Sequence, residues 1–439
     1  MKRTLTVVSG LLLVALAGCL GEQRRPGDKV GRRAAGDLSV DRPQVDEAKV
    51  RDFGFVVYWD SFVRDEVLSA LTIEGDFEQG FGRPQLYAFT ESKRLYQLDL
   101  NSGMVNWLYD VGEPLSFKDG RWITEWAYRP EEPNVEGGPR FKRYDEVFLV
   151  ARDRLFALDK DNGAELWQVR LPFGASSPPQ ASESHVFVGS WDDRIYAYRK
   201  ERPEIPDWNW RTNGDILTRA SVDSPSVFVA STDGFLHTFD AASGEPRWQF
   251  DTEKRLLLDP LVFKKLIYLG GEDFNLYVLN ALDGTLEYRH GAGAPISGRP
   301  VAIDNGDDQT VYFTAGAEGM FAVARKSRPR GSRRTTHELL WQRKEAKRVV
   351  ARGARDVYVL EAADAPGNVK IVRLGARDGK PKGQLELAGV DWVLTNSAGP
   401  GSSIHDESLL GGLIVLGYKN GWVVALKEIA TLPGGMVDK

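Results

Sequence analysis

The chain has a single cysteine in 439 residues, Cys19, and this count excludes an internal disulfide. Its five histidines are scattered without the ligand spacing of a zinc site, and no Asp-x-Asp-x-Asp-Gly calcium loop occurs. No serine lies in a Gly-x-Ser-x-Gly nucleophile elbow. These absences lead us to expect neither a metal site nor catalytic residues.

Positive charge is not in surplus, and no apolar run is long enough to cross a membrane. The formal net charge is −5, and loss of the first 18 residues, which include Lys2 and Arg3, would make it more negative. A general nucleic-acid binder usually has a basic surplus, so we expect no nucleic-acid partner. The apolar run 5–16 is too short to span a bilayer.

The first nineteen residues have the pattern of a bacterial export signal. A basic start is followed by the apolar run and then by Leu16-Ala17-Gly18-Cys19, which resembles a lipobox. We therefore predict a lipoprotein signal peptide over 1–18 and acylation of Cys19, which would anchor the chain to a membrane through lipid. The alternative is a chance cysteine behind a plain secretory signal.

Composition divides the remainder of the chain into three segments. Residues 19–50 are charged and poor in aromatics, which predicts a lipidated flexible tether. Residues 51–430 hold all 12 tryptophans and most of the 45 glycines, which suit strands and tight turns, and we predict the folded domain there. Residues 431–439 are predicted to be a C-terminal tail.

A short phrase recurs along the folded part. An aspartate or asparagine is followed four residues later by glycine and four further on by an aromatic residue. The copies are Asp99, Gly103 and Trp107; Asp159, Gly163 and Trp167; Asp240, Gly244 and Trp248; and Asn280, Gly284 and Tyr288. Each copy follows a short alternating strand, and such repetition with a period near 40 residues predicts an all-β propeller.

Each position of the phrase has a physical role in a hairpin. The Asp or Asn side chain can accept backbone N–H bonds within the turn, and the glycine can supply a positive φ. The aromatic residue on the next strand can fill the wedge between neighbouring blades. We therefore interpret these tryptophans as structural; the alternative is a platform for a sugar or a cofactor.

The number of blades follows from counting hairpins. Seven units are recognisable after residue 86, and an eighth hairpin at 413–429 stops before its outer strand. The segment 53–63 belongs to no unit and can supply that strand, so that both chain ends build the last blade and remove its free edge. We predict an eight-bladed propeller; seven blades is the alternative, if the unit beginning at 357 is too degraded.

The repeats carry a family resemblance. LFALDKDNGAELW and LHTFDAASGEPRW resemble the PQQ-like repeat over about 86–429, and with the lipobox the chain is similar to the BamB-type lipoproteins. The resemblance implies a non-catalytic scaffold on the periplasmic side of the outer membrane. Its expected partners are envelope proteins, namely the β-barrel assembly machinery and unfolded outer-membrane proteins, and neither PQQ nor another cofactor is expected.

Other functions are compatible with the same repeat. Quinone-dependent dehydrogenases share it, but they need a catalytic carboxylate, a calcium site and, in many cases, a disulfide. The runner-up hypothesis is therefore an envelope enzyme or sensor that binds a quinone or a sugar in the central channel. An outward-facing adhesion propeller is a third interpretation.

Two long insertions are candidates for partner contacts. The insertion 113–143 contains Trp122, Trp126 and Tyr128, which we interpret equally as a partner-binding loop or as self-packing residues. The second insertion has six cations between Arg325 and Arg334, which could contact an anionic surface or form a solvated loop.

Overall fold

The computed structural model describes nine segments of the chain. They are 42–63, 66–75, 84–119, 121–126, 145–304, 308–326, 336–353, 355–395 and 412–429. The predicted signal peptide, Cys19, the predicted C-terminal tail and most of the basic run after Arg325 lie outside them. Within these segments, no helix has the length and apolar character needed to cross a membrane.

The described residues form eight four-stranded antiparallel sheets, which are the blades of a propeller. Blades one to four contain, in chain order, β2 Leu68–Glu74, β3 Gln85–Thr90, β4 Arg94–Asp99 and β5 Val105–Asp110; β6 Ile123–Trp126, β7 Glu146–Ala151, β8 Arg154–Asp159 and β9 Glu165–Arg170; β10 Gln180–Ala181, β11 His185–Ser190, β12 Arg194–Arg199 and β13 Trp208–Arg211; and β14 Ser221–Asp223, β15 Ser226–Ala230, β16 Phe235–Asp240 and β17 Pro246–Asp251. The predicted count of eight blades is confirmed, and the alternative count of seven is wrong.

Blades five to seven continue the same pattern, and a 3₁₀ turn, Gly316–Glu318, lies within blade six. Their strands are β18 Leu261–Phe263, β19 Leu266–Gly270, β20 Asn275–Asn280 and β21 Leu286–Gly291; β22 Ile296–Asp304, β23 Asp308–Ala315, β24 Gly319–Lys326 and β25 Thr336–Arg343; and β26 Ala346–Arg352, β27 Asp356–Glu361, β28 Asn368–Gly375 and β29 Pro381–Ala388. In each of these blades the first strand lies next to the channel and the fourth at the rim.

Blade eight is built from both ends of the described chain. It contains β30 Trp392–Val393, β31 Leu413–Gly417, β32 Trp422–Glu428 and, as its outer strand, β1 Phe55–Phe62. Strand β1 pairs antiparallel with β32 from Phe55 opposite Glu428 to Phe62 opposite Trp422. The predicted closure by the N-terminal strand is therefore confirmed, and it covers the edge of β32.

A short helix, α1 Glu47–Asp52, precedes the closing strand and shortens the predicted tether. The Asp46 side chain caps it by accepting bonds from two backbone N–H groups, each at 3.1 Å. Val50 and Phe53 are buried among side chains of blades seven and eight. The charged composition predicted a flexible tether up to residue 50, whereas residues 42–50 are packed against the ring. One turn with apolar side chains is enough to fix them there.

The hydrophobic core is divided into eight clusters. Each cluster joins side chains from the facing surfaces of two neighbouring blades. The cluster between blades eight and one, for example, combines Trp59 and Val415 with Leu71 and Leu98. Burial of apolar area therefore holds each blade to its neighbours, and the ring needs all of its blades to close.

Candidate functional site

The recurring geometry of the repeat phrase is an interlock between adjacent blades. Asp99 accepts bonds from the N–H groups of Asn101 and Ser102, at 3.2 and 2.8 Å. Gly163 has a φ of +71°, and a Cβ there would lie 2.5 Å from the ring of Trp107 in the preceding blade. The Trp107 indole N–H donates to the Lys160 carbonyl at 2.7 Å, so one tryptophan both covers the glycine and satisfies the turn.

The same contact recurs at other blade junctions. The pairs, with each tryptophan covering a turn glycine of the next blade, are Trp59 and Gly103, Trp208 and Gly244, Trp248 and Gly284, and Trp341 and Gly379. In each pair the indole N–H donates to a carbonyl of that same turn. Trp59 lies in the closing strand, so the last junction uses the same contact as the others.

Two of the predicted aromatic residues have different surroundings. Trp167 packs against Phe148, and its indole N–H has no hydrogen-bond partner among the described residues. The corresponding turn of blade three, KERPEIPD, lacks the Asp-to-Gly spacing that would offer a carbonyl. Tyr288 stacks on His337 at 4.1 Å between ring centroids.

Sequence reasoning missed the role of Trp59 at the junction between blades eight and one. The available signal was its position in the predicted outer strand of the last blade.

A buried arginine, Arg219, connects the inner strands around the central channel. It is 2 % exposed, and it donates to both carboxylate oxygens of Glu74, at 3.1 and 3.3 Å. It also donates to the Gln180 side chain at 2.7 Å and to the Ile123 carbonyl at 3.1 Å. One guanidinium entering blade four thus contacts groups from blades one, two and three. No motif in the sequence pointed to it.

Glu74 is held ionised by two arginines. Arg121 forms a second ion pair with it, at 2.5 Å. Burial by itself would raise the pKa of Glu74, but Arg121 and Arg219 together lower that pKa to about 2. Burial lowers the pKa of Arg219 from its usual value, and Glu74 opposes that effect. The cluster is therefore a charged network with its carboxylate fully engaged.

A second buried carboxylate, Glu125, lies between blades one and two. Lys160 donates to it at 2.5 Å, and so does the Tyr87 hydroxyl, also at 2.5 Å. Burial raises the pKa of Glu125 to about 7, although Lys160 and Tyr87 act in the opposite direction. In the described part of the chain, no three His, Cys, Asp or Glu side chains are grouped so as to hold a metal ion.

One face of the ring exposes large apolar side chains. In an antiparallel meander, the connections between blades and the turns between second and third strands lie on the same face. On this face are Phe173, Trp191, Leu217, Leu257 and Phe274, which we call the apolar rim. Trp191 is 61 % exposed, and Phe274 has a φ of +71°, a strained conformation for a bulky residue.

The predicted partner loop has a different environment. Trp122 and Trp126 are 1 % and 6 % exposed, and both lie in apolar clusters between blades. Their burial corresponds to the self-packing interpretation, because a partner could reach neither ring. Tyr128 lies outside the described residues. Of the basic run, Arg325 pairs with Glu287 at 3.3 Å, and the cations from Arg328 onward also lie outside them.

Comparison with models of protein families shows which family this chain belongs to. A family model described as outer membrane protein assembly factor BamB matches residues 116–205 and 206–389, more than half of the chain. The chain belongs to the BamB family. The matched segments run from the connection before blade two to the end of blade seven, so the family assignment rests on most of the ring.

Individual BamB proteins are distant from this chain. The BamB of Nitrosomonas eutropha is 22 % identical over 160 residues, which are 35 % of this chain and 39 % of that protein. The BamB of Yersinia pestis is 27 % identical over 119 residues, 24 % of this chain and 30 % of that protein. The alignments thus span two-fifths or less of each relative's length.

Solved structures share the fold over most of the chain. BamB from Moraxella catarrhalis superposes with a TM-score of 0.56 at 16 % identity, covering 85 % of this chain and 97 % of that one. A quinohemoprotein alcohol dehydrogenase from Comamonas testosteroni gives 0.52 at 12 % identity, covering 88 % and 78 %. At such identities the likeness concerns the fold alone, and it is common to a BamB and to an enzyme.

Proposed function

We propose that this chain is a non-catalytic, lipid-anchored scaffold of the bacterial envelope that assists the assembly of outer-membrane β-barrel proteins. The observation that carries the proposal is the match of the BamB family model to most of a closed eight-bladed ring. Its place is the periplasmic side of the outer membrane, with Cys19 as the acylated residue. Such a scaffold needs no cofactor, because it acts by binding other proteins on its surface.

The apolar rim is the surface on which we expect the assembly machinery to dock. Large aromatic side chains that are exposed in the free protein contribute strongly when a partner buries them. Trp191 and Phe173 lie on adjacent loops of blade three, since a Cβ at Gly174 would lie 3.6 Å from the Trp191 ring. Unfolded outer-membrane proteins would bind separately as extended segments, through backbone hydrogen bonds to a blade edge.

Crosslinking in the native envelope tests this proposal. The tagged, acylated protein is crosslinked briefly, purified in mild detergent, and its companions are identified. We expect the central barrel subunit of the assembly machinery among them, and we expect Trp191→Ala to reduce its recovery about tenfold, as for a binding hot spot. Ile205→Ala is the matched control, because Ile205 is 72 % exposed on the opposite face of the same blade.

Two results would contradict the proposal. If the barrel subunit is absent and a different envelope complex is recovered, the ring serves another client. If Ile205→Ala and Trp191→Ala reduce recovery equally, the apolar rim is not the docking surface.

A second candidate function is a quinone- or sugar-binding enzyme or sensor. A channel cavity of about 520 Å³ favours it, because that volume can hold a small molecule. Tight binding of PQQ with calcium should raise the unfolding temperature, since ligand binding adds to the free energy of unfolding. Absence of any shift at saturating PQQ and calcium would rule out the quinone-binding form of this candidate.

A further inference from the structure

The junction between blades five and six differs from its two neighbours. Trp248 of blade four and Trp341 of blade six each cover a turn glycine of the next blade and donate to a carbonyl of that turn. Tyr288 has the same place in the repeat phrase of blade five, but its ring stacks on His337 of β25, at 4.1 Å between centroids and 7° between planes. Its hydroxyl bonds within its own strand, to His290 Nδ1 at 3.2 Å. Ring contacts therefore replace the tryptophan interlock at this junction.

Two imidazoles of this junction lie away from water. The Nε2 atoms of His290 and His337 are buried and have no hydrogen-bond partner among the described residues. The His290 ring meets Phe313 and Phe321 of blade six edge-on, at 5.6 and 5.4 Å between centroids. A protonated imidazole has an N–H donor on each ring nitrogen. Protonation of either ring would therefore place a charge and an unsatisfied donor in the apolar contact.

The charged groups around the two rings do not favour protonation. Arg325 of β24 lies opposite His337 in the sheet and pairs with Glu287 of β21 at 3.3 Å. Its positive charge opposes a second one on His337. Tyr268 of β19 also lies in the field of this ion pair. The charged residues that adjoin the histidines in sequence are exposed, and strand alternation places them on the opposite face of each strand; they are Arg289 and Glu338.

Both histidines are neutral in the closed junction at neutral pH. Burial lowers the pKa of His290, and burial together with Arg325 lowers the pKa of His337 from 6.5 to about 4. An open junction, in which water reaches the rings, binds these protons more readily than the closed one. Acid therefore favours opening, with an effect that begins below about pH 6.5 and grows as the pH falls towards 4.

We propose that the contact of Tyr288 and His290 in β21 with His337 in β25 is an acid-sensitive seam, at which protonation of the two histidines parts blade five from blade six while the other junctions stay closed. Parting uncovers apolar side chains behind the rings, among them Phe313 and Val323 of blade six. The closed ring buries this surface, so acid would expose a surface that is hidden at neutral pH. The seam is independent of the apolar rim and of the proposed scaffold function.

Labelling of a buried thiol measures how often the seam opens. Val323→Cys places a reporter in the apolar cluster between blades five and six, and Val372→Cys places a matched one between blades six and seven; both valines are 2 % exposed and lie in third strands. The full-length protein is treated at about pH 7 and about pH 4.5 with a dipyridyl disulfide, which reacts with thiols in acid. Each labelling rate is read from the peptide of the introduced cysteine and divided by the rate of the unfolded peptide at the same pH.

The two reporters should respond differently to acid. The corrected rate at Val323→Cys should rise about fifty-fold between the two pH values from His337 alone, because its pKa is 6.5 when exposed and about 4 in the closed junction. The corrected rate at Val372→Cys should change less than about fivefold, since its junction keeps the contact of Trp341 with Gly379.

Two histidine variants separate the seam from a general effect of acid. His337→Phe keeps a ring to stack on Tyr288 but takes up no proton, so it should reduce the rise at Val323→Cys about tenfold or more. His237→Tyr is the matched control, because His237 bonds to Asp233 in blade four and tyrosines make the equivalent bond in blades three and five. It should leave the rise unchanged.

The unfolding temperature at neutral pH shows whether each variant is folded. The proposal is overturned if Val323→Cys shows no rise in acid, or if both reporters rise equally. It is also overturned if folded His337→Phe protein shows the same rise at Val323→Cys as the parent protein.

Discussion

At the scale of single residues, the ring depends on a contact between a tryptophan and a glycine. The glycine is required twice, once for its positive φ and once because the indole leaves no room for a Cβ. These two requirements can be separated, since other glycines of the chain have the same φ but open space around them. Gly112, with a φ of +70° and no atom within 4 Å of the place where a Cβ would lie, is one of these.

Gly163→Ala should therefore destabilise the protein more than Gly112→Ala. We expect Gly112→Ala to lower the free energy of unfolding by about 1 kcal/mol, which is the effect of the positive φ alone. Gly163→Ala adds a clash with Trp107, and we expect about 2–4 kcal/mol in total. Urea denaturation followed by tryptophan fluorescence measures both. Equal losses for the two variants would mean that the indole does not constrain the turn.

Glu74 should make stability depend on acid pH. Its folded pKa of about 2 lies below the usual glutamate value of 4.5, so the unfolded chain binds the proton more readily. The contribution of Glu74 to the free energy of unfolding is fully present above about pH 4.5. It falls by about 3 kcal/mol in all as the pH falls towards 2. The stability gap between the parent protein and Glu74→Gln should therefore narrow between about pH 6 and about pH 3.

The control for that experiment is Glu272→Gln, which removes a surface carboxylate paired with Arg255. The difference in the free energy of unfolding between the parent protein and Glu272→Gln should change by less than about 0.5 kcal/mol over the same pH range, because exposed ion pairs contribute little. A constant gap for Glu74→Gln would show that the Arg219 network does not hold this carboxylate ionised.

At the scale of elements, one strand decides whether the ring is closed. Strand β1 supplies the outer edge of blade eight and also carries Trp59, whose indole covers Gly103 of blade one. The residue that ends helix α1 adds a second contact, since Phe53 lies beside Gly383 in β29 and packs edge-on against the Tyr358 ring. The N-terminal segment thus contacts blades seven, eight and one.

A chain that begins at residue 64 should lose this closure. Without α1 and β1 the edge of β32 is free to pair with other molecules, and the cluster around Trp59 is open to water. We expect aggregation in size-exclusion chromatography and a broad, lowered thermal transition. A chain that begins at Arg42 is the control and should remain monomeric with a sharp transition. If both chains behave alike, β1 is dispensable.

At the scale of the whole molecule, the ring creates two surfaces that no single blade has. The first is the apolar rim, which collects exposed side chains from the loops of several blades on one face. The second is the channel, where the inner strands bring arginines from distant parts of the chain together. Arg219 and Glu74, for example, are 145 residues apart in sequence and form an ion pair at 3.1 Å. Both surfaces are products of closure.

The sequence by itself determined the repeat and the strand that closes the ring, because these follow from local patterns of turn residues and alternating strands. It left eight or seven blades open, and the structure decided for eight. The sequence could not place Trp122 and Trp126, since the burial of an aromatic residue depends on the blades that pack around it. Nor could it reveal Arg219, because its partners come from the inner strands of three other blades, and that arrangement exists only in the closed ring.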